Sequence, residues 1–580
     1  MKKVVSLLLV AVMLSALAFT LVGCGAPEDD GAEIDIYLGN EIYDFDPTDY
    51  YVDSNAEQVM SLLFEPLFSY QNGKLGFACA KDYKIDKEKR EIVITLRETY
   101  WSNNTRVKAS DFVYAWSERL LNPNNANPAA ILLFDIENAA AIKGGMMSPA
   151  ELKAEATGVD ELTITYREGA DPDQLLVNLA SVATAPIRQS DVETVITYWS
   201  KLITNVVTNG PFKVTRYSTV NNELILSRNK GYHQDFETVN YVGQVTPGQL
   251  VGLTTALGDK IELSYEDIEN KTRFYLQDAS LADRAKYKDK ATVVDDTSVY
   301  TYVFNTENPL FAIPEVRVAL SMAIDREAIV NAVVFGKAAD GFVPDISGGS
   351  GASLISTKAD TAAANALLRR ISLDGLDKNI ELTIANNEQS VKIAELVKAS
   401  WESLDAGFKV TVKAVDVIET VITSEGDEEG DEIRFLDSAI QAAVKDASFG
   451  VRNFDVIAVD WQTYTSDAFV ALASLTSEMN GCGKVLPYGS ARPSISAWSD
   501  SEYDYLITTA YASEGSERAA CLEQAEAYLC EKMPVMPIMF NQSFAFISSE
   551  LSGVKYDSFG NVIFTKVEQK NYKDYLVEEE

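Results

Sequence analysis

The chain is poor in the residues from which most catalytic centres are assembled. It has one histidine, His233, in 580 residues, and five cysteines. Any Ser-His-Asp or Cys-His mechanism would have to run through that one imidazole. His233 follows Gly231-Tyr232, a turn-like setting that gives it a structural role at the surface. Cys79, Cys482, Cys521 and Cys530 have neither C-x-x-C spacing nor neighbouring histidines, so a zinc site is not expected. Cys521 and Cys530 fall on one expected helix, about 13.5 Å apart at 1.5 Å per residue, which is too far for a disulfide. A bridge from Cys482 to either stays open. No cofactor is expected.

Positive charge is also scarce, with 50 Lys plus Arg against 86 Asp plus Glu and a net charge of −36. Nucleic acid is therefore excluded as a partner, because phosphate neutralisation needs a basic face. The acidity serves solubility and self-repulsion, or else attracts cationic ligands. No phosphate loop is present: Gly481-Cys482-Gly483-Lys484 lacks the first glycine and the terminal hydroxyl, so the chain is not expected to hydrolyse ATP. Gly348-Gly349-Ser350-Gly351-Ala352 ends in alanine where a nucleophile elbow needs glycine, and it lacks the strand-to-helix context. The chain does not read as an enzyme.

Long apolar runs are absent after the first 22 residues. Met1-Lys2-Lys3 precedes an apolar stretch from Val4 to Val22, which closes on Leu21-Val22-Gly23-Cys24. This resembles a bacterial lipoprotein signal, and the resemblance implies that residues 1–23 are removed and Cys24 carries the lipid. A transmembrane helix is the alternative, since the segment is barely long enough to span a bilayer. Residues 24–30 are polar and turn-rich, a tether. The remainder has room for roughly three or four domains of about 150 residues each.

Periodicity then reads as alternating strands and helices, the pattern of an α/β chain. Strands are expected at Glu33–Leu38, Glu91–Arg97, Leu382–Ile384, Phe408–Val415 and Phe454–Trp461, with a hairpin of Lys213–Tyr217 and Glu223–Arg228 around Asn221-Asn222. The helix Val59–Phe68 should stop early at Pro66, Ser110 should cap a helix with Phe112, Val113, Trp116 and Leu120 on one face, and Ile393–Trp401 and Cys521–Lys532 are helical. Asp46 before Pro47 reads as a turn former, and Ser424–Glu432 as a solvated loop.

The most informative stretch runs from Val299 to Pro344. A strand, Val299–Phe304, ends at Asn305, and Pro314 opens a helix whose Val316, Ala319, Leu320, Ala323 and Ile324 share one face while Glu315 and Arg317 stay wet. Asp325 should cap a second helix, with Ile329, Val330, Val333 and Val334 on one face and Gly336 closing it in the left-handed conformation. Read whole, FNTENPLFAIPEVRVALSMAIDREAIVNAVVFGKAADGFVP resembles the signature of extracellular solute-binding proteins of oligopeptide and dipeptide ABC importers. TLRETYWSNNTRVKASDFVYAWSERLLNP, Asn209-Gly210-Pro211-Phe212, Leu257–Glu262 and Met533–Ile538 are similar to further landmarks of that family, in its order.

The resemblance implies an α/β, two-lobed periplasmic-binding-protein-like fold with a hinge and an extra middle domain. Lobe one would take 31–64, 185–295 and 540–580, the middle domain 65–184, and lobe two 296–539. It implies a lipid-anchored protein on the outer face of the cytoplasmic membrane that captures peptides and delivers them to ABC permease subunits. A non-peptide solute such as a nickel chelate, haem or oligosaccharide, or a peptide-sensing role, is the alternative. Relatives place an aspartate in Trp-x-x-Asp-Tyr to meet the ligand's α-ammonium. Here Trp461-Gln462-Thr463-Tyr464 puts Tyr464 at that position, so the candidate ligand-binding residues are Asp460, Trp461, Tyr464 and Asp467.

The anchor can be tested from the sequence alone. Cys24→Ser should leave an uncleaved, unlipidated precursor, followed by labelled-palmitate incorporation and gel mobility; normal maturation of the mutant would refute the lipoprotein signal.

Overall fold

A computed structural model describes residues 34–38, 44–49, 54–195, 199–201, 206–218, 223–233, 243–247, 253–254, 260–261, 265, 269, 274–277, 279–423, 432–482, 484–485, 490–491, 494–565 and 567–569. Cys24 with its signal and tether, the Asn221-Asn222 turn, Leu257–Asp259, Glu262 and residues 424–431 lie outside the described residues. No helix among the described residues is long and apolar enough to cross a membrane.

After strand β1 (Ile34–Leu38), helix α1 (Ser54–Leu63) stops three residues short of Pro66, as the proline requires. A hairpin follows, β2 (Phe68–Gln71) and β3 (Lys74–Phe77), turning through Asn72 and Gly73, both at positive φ. Strands β4 (Ala80–Asp86), β5 (Glu91–Leu96), β6 (Ala154–Ala156) and β7 (Glu161–Thr165) form a separate antiparallel sheet in the order β4-β5-β7-β6. Ile92, Ile94 and Leu96 point inward from β5 and share a core with Phe112, Trp116 and Leu120. Helix α2 (Ala109–Tyr114) begins two residues earlier than expected, with Lys108 and not Ser110 at its N-cap. The reason is Asp111, whose carboxylate reaches back to the Lys108 N–H at 3.0 Å and takes the Trp101 indole N–H at 3.1 Å. A π-helical stretch, Ala115–Leu120, continues from it.

Among the described residues the large sheet has eleven strands. β8 (Phe212–Ser218), β9 (Glu223–Arg228), β10 (Gly243–Pro247) and β11 (Phe274–Leu276) join β1 on one side. On the other, β12 (Ala291–Phe304) is followed by β13 (Lys337–Ala338), β14 (Asn379–Ala385), β15 (Lys409–Val415), β16 (Val456–Gln462) and β17 (Val535–Ile547). The order is β15-β14-β16-β12-β17-β11-β1-β10-β9-β8, with β13 beside β17. β12 and β17 are long and belong to both halves. Ala291–Asp295 pairs with Gln542–Phe546 next to β11, whereas Val299–Val303 pairs with Val535–Phe540 next to β16.

Between these two segments the register slips at Asp295–Val299, a bulge. A large apolar cluster that takes in Ile36 and Tyr275 on one side and Val303 and Trp461 on the other runs across both halves, and each half also has a cluster of its own. Tyr302, Phe304, Leu320 and Trp401 pack in one, and Tyr37, Phe274, Phe544 and Phe546 in the other. The bulge is held by Asp296, whose carboxylate accepts from Ser298 N at 2.8 Å and Ser543 Oγ at 3.2 Å.

Helices α3 (Pro314–Met322), α4 (Arg326–Val333) and α5 (Glu388–Glu402) cover the larger half. The apolar stripe of α3 is buried as its spacing requires, and Asp325 caps α4 by accepting from Ala328 N at 2.8 Å. Arg317, expected to be wet, is 1% exposed. Its guanidinium donates to the carbonyls of Phe311, Lys532 and Met533, so it serves as the cation at the C-terminus of α7 (Gly515–Lys532). Burial pulls its pKa down to about 10. Arg326 is also buried, on the carbonyls of Ser321, Ser356 and Pro537. The positive-φ residue that closes α4 is Val334, at φ +77, rather than Gly336, which itself sits at φ +121, a conformation that L side chains rarely adopt.

His233 is not at the surface, since its side chain is 3% exposed. Arg97 Nη1 lies 3.1 Å from Nδ1 and Glu65 Oε2 lies 2.7 Å from Nε2. Arginine can only donate, which makes Nδ1 the acceptor and puts the proton on Nε2, facing the carboxylate. Cys79, Cys482, Cys521 and Cys530 are free thiols, so the bridge left open for Cys482 does not form.

Three carboxyls crowd the bulge: Asp296, Glu57 from α1 and Asp557. Burial first, then the neighbouring acids, pushes Glu57 up to about 8; burial likewise brings Asp557 to about 6. Both folded values exceed the unfolded ones, so the folded chain holds more protons across roughly pH 4 to 8 and this stabilising contribution is lost as pH rises through that window. Urea midpoints should therefore fall between pH 6 and 8, and Glu57→Gln should flatten that fall. An unchanged slope in the mutant would contradict the assignment.

Candidate functional site

Strand β16 runs antiparallel to β12, with Asp460 opposite Tyr300 and Trp461 opposite Val299, so it leaves the sheet at the bulge. Successive strand residues point to opposite faces. Trp461 packs edge-on against Phe342, 5.9 Å between ring centres. Asp460 points the other way and is half-buried, accepting from Asn541 Nδ2 at 2.7 Å. Asn541 also donates to Ser298 Oγ at 2.8 Å, which ties the strand end to both crossing strands.

The loop after β16 is anchored at almost every residue. Thr463 Oγ1 donates to Thr297 O within the bulge, Thr465 Oγ1 donates to Asn178 Oδ1 at 2.8 Å, and Tyr464 OH donates to Asn127 Oδ1 at 3.4 Å. Tyr464 has φ +59 and is 2% exposed. It lines, with Trp461, Gln462, Ala126 and Pro128, a cavity of about 20 Å³, barely enough for one water. Burial raises its phenol well above the usual value.

Asp467 caps helix α6 (Ala468–Ala473) by accepting from Phe469 N at 3.1 Å. Its two oxygens also meet Arg518 Nη2, at 2.9 and 2.7 Å. Burial opposes the Arg518 charge, but Asp467 more than offsets this and raises its pKa. The pair faces a polar cavity of 510 Å³ between Asp171-Pro172 on one wall and Gly348–Ser350 and Glu526 on the other. Glu526 Oε1 accepts from the N–H groups of Phe342 and Val343, at 3.0 and 2.9 Å, and a Cβ on Gly341 would lie 2.8 Å from it. The glycine-rich run at Gly348 thus shapes a cavity wall.

A second set of contacts, missed in the sequence, spans the faces around this region. Asp44, Asp46 and Asp49 lie in one turn after β1. Asp46 does form the turn, accepting from Thr48 N at 2.8 Å, and it also pairs with Arg119. Asp49 pairs with Lys445 at 3.3 Å, and Lys201 pairs with Asp437 and stands 4.0 Å from Asp44. Burial, with Asp46 and Asp49 nearby, pushes Asp44 up to about 6. The signal available in the sequence was three aspartates within six residues in a strongly acidic chain; their basic partners are far away in sequence. Among the described residues no cluster of histidine, cysteine or carboxylate could hold a metal ion.

Two halves that each keep an apolar cluster of their own, joined by two strands that cross a bulge, define a two-lobed binding protein. Residues 75–481 match the bacterial extracellular solute-binding proteins, family 5 Middle, and the chain belongs to that family. It is a binding protein of a transport system, not an enzyme. It is 26% identical over 527 residues to the periplasmic murein peptide-binding protein MppA of Escherichia coli, covering 88% of each chain. The solved structure of that murein tripeptide-binding protein superposes with a TM-score of 0.75 at 23% identity, over 93% of this chain and 98% of that one. Haemophilus influenzae OppA in complex with RPPGFSPFR gives 0.74 at 21% identity, over 93% and 99%. The unliganded open form of MppA gives 0.57 at 23%, over 93% and 97%.

Removing Arg518 would leave Asp467 buried without its partner. Arg518→Met should lower unfolding stability by about 2 to 3 kcal/mol, under the range for fully buried pairs because Arg518 is 22% exposed. Urea titration checks this, and a loss below about 0.5 kcal/mol would mean that the pair does not organise the cavity wall.

Proposed function

We propose that the chain is a lipid-anchored extracellular binding protein that captures peptides between its two lobes and delivers them to an ABC permease. The observation that carries this reading is the pair of strands β12 and β17, which cross a register slip between two halves that each keep an apolar cluster of their own, a place where bending can close them. The better superposition on the OppA complex than on the open form supports a closed arrangement of the lobes. The Asp49–Lys445 and Asp437–Lys201 pairs would then be closure contacts.

The domain boundaries we propose are 31–64, 185–295 and 540–580 for lobe one, 65–184 for the middle domain and 296–539 for lobe two. Two features support them. Strands β2 to β7 pair only with one another, and the cuts at 296 and 540 fall inside the two crossing strands. Side-chain-indifferent capture rests on extended-backbone hydrogen bonds and wet pockets; the 510 Å³ cavity lies instead between the proposed middle domain and lobe two, lined by Gly169–Pro172 and by Gly348–Ser350, Asp467 and Arg518. The anchor at Cys24 supplies the membrane address, and permease subunits are the transport partner.

Recognition of the ligand's amine falls to an acid other than the one at the family position, because Tyr464 is buried there. Asp460 and Asp467 are the candidates, and each already has a protein partner. A ligand lacking a free amine is the second reading, and Tyr464 is what favours it.

Mass spectrometry of ligand released from freshly purified protein should yield peptides. A panel of di- to octapeptides at about 100 times Kd should add about 2.7 kcal/mol of stability. Asp460→Asn or Asp467→Asn should weaken free-amine peptides about tenfold, about 1.4 kcal/mol, with N-acetylated ones hardly changed. Equal losses for both peptide forms, or none, would rule out amine pairing at these acids.

A further inference from the structure

We propose that the cavity enclosed by α1, the β2–β3 hairpin and the C-terminal hairpin is a second ligand site, one that takes a small aryl amine. The C-terminal hairpin is β18 (Lys555–Tyr556) and β19 (Val562–Ile563). It docks on the β2–β3 hairpin through Ser558 N donating to Tyr70 O at 2.8 Å and Gly73 N donating to Ser558 Oγ at 3.1 Å. Between them and the end of α1 lies a cavity of 350 Å³, within the size range of small-molecule sites. None of Asp460, Trp461, Tyr464 or Asp467 lines it.

Its walls are aromatic. Tyr70 and Phe559 stack at 5.8 Å, and Phe68 and Phe77 stand 6.3 Å apart across the hairpin. Phe77 is 44% exposed, unusual for a phenylalanine in this chain. An exposed ring beside a ring-lined hollow is what an aromatic guest would cover.

Asp557 lines this space with acceptor capacity to spare. Asp557 Oδ1 is engaged by the N–H groups of Phe559 and Asn561, at 2.9 and 2.8 Å. Its Oδ2 takes one longer bond, from Asn561 Nδ2 at 3.3 Å, and a carboxylate oxygen has two acceptor sites. The other acid in the lining, Glu65, is more heavily engaged: Tyr232 OH donates to one oxygen, and His233 Nε2 and Cys79 Sγ stand at 2.7 and 3.2 Å from the other. The aryl faces and Asp557 both favour a cation. The one lysine of the lining, Lys555, is exposed, with its head free to stay in water. An ammonium on Asp557 with its ring among Tyr70, Phe77 and Phe559 satisfies both demands.

The test is titration of the full mature protein with phenethylamine, 2-phenylethanol and phenylacetate, read by calorimetry and by saturation-transfer NMR of the probe's ring protons. Phenethylamine should bind at about millimolar Kd, and phenylacetate about tenfold more weakly or not at all. Ser61→Phe fills the cavity from α1 and should weaken phenethylamine at least about tenfold. Asp557→Asn keeps an acceptor for both backbone N–H groups, and it should cost phenethylamine about fivefold while leaving 2-phenylethanol within about twofold. Absence of any saturation transfer at about 5 mM phenethylamine overturns the proposal. Undiminished binding in both variants does the same, because the amine would then sit elsewhere, in the cleft between the lobes for instance. Phenylacetate binding as tightly as phenethylamine would overturn the choice of a cation.

Discussion

The structure depends on two strands that have to serve two cores at once. β17 carries Met536, Ile538 and Met539 into the cluster of Trp401 and Phe544 and Phe546 into that of Tyr37 and Phe274, while β12 carries Tyr300, Tyr302 and Phe304 into the first and meets the second at Ala291. The register slips between these segments at Asp295–Val299, a bulge that bends the strand and sharpens its local twist. Once it exists, the backbone around it must find partners other than the ladder. Asp296, Ser543, Thr463 and Asn541 supply them. The end of β16 and its loop are thereby fixed to the place where the halves can move relative to each other.

The same logic explains why so many ionisable groups are buried. Arg317 and Arg326 satisfy main-chain carbonyls at helix ends and loops without a carboxylate at hand. Glu65 collects Tyr232, His233 and Cys79, and His233 passes the chain on to Arg97. These groups pin irregular segments whose backbone would otherwise be left unpaired. The carboxyls near the bulge are different, because burial and mutual repulsion hold them above their ordinary range.

Periodicity made the regular elements legible: the alternation of Ile92, Ile94 and Leu96, the stripe of α3 and the Asp325 cap all lie where residue spacing puts them. What pattern could not show is long-range pairing. Arg317 looked wet because its solvent-like position on the helix is covered by carbonyls more than 200 residues later. His233 looked superficial because Glu65 and Arg97 are more than 130 residues away. The family's landmarks were legible as motifs, and Tyr464 stood out as a departure from one. That it is buried against Asn127, with Asp467 committed to Arg518, depends on packing that no local window contains.

The central claim is that the two halves close about the β12–β17 bulge when a peptide is held between them. Small-angle scattering of the mature protein, with and without a peptide whose binding calorimetry has established, tests it most directly. The account predicts that the radius of gyration falls on saturation and that the saturated curve fits the present structure better than the ligand-free curve does. A bound peptide that leaves the scattering curve unchanged would contradict it.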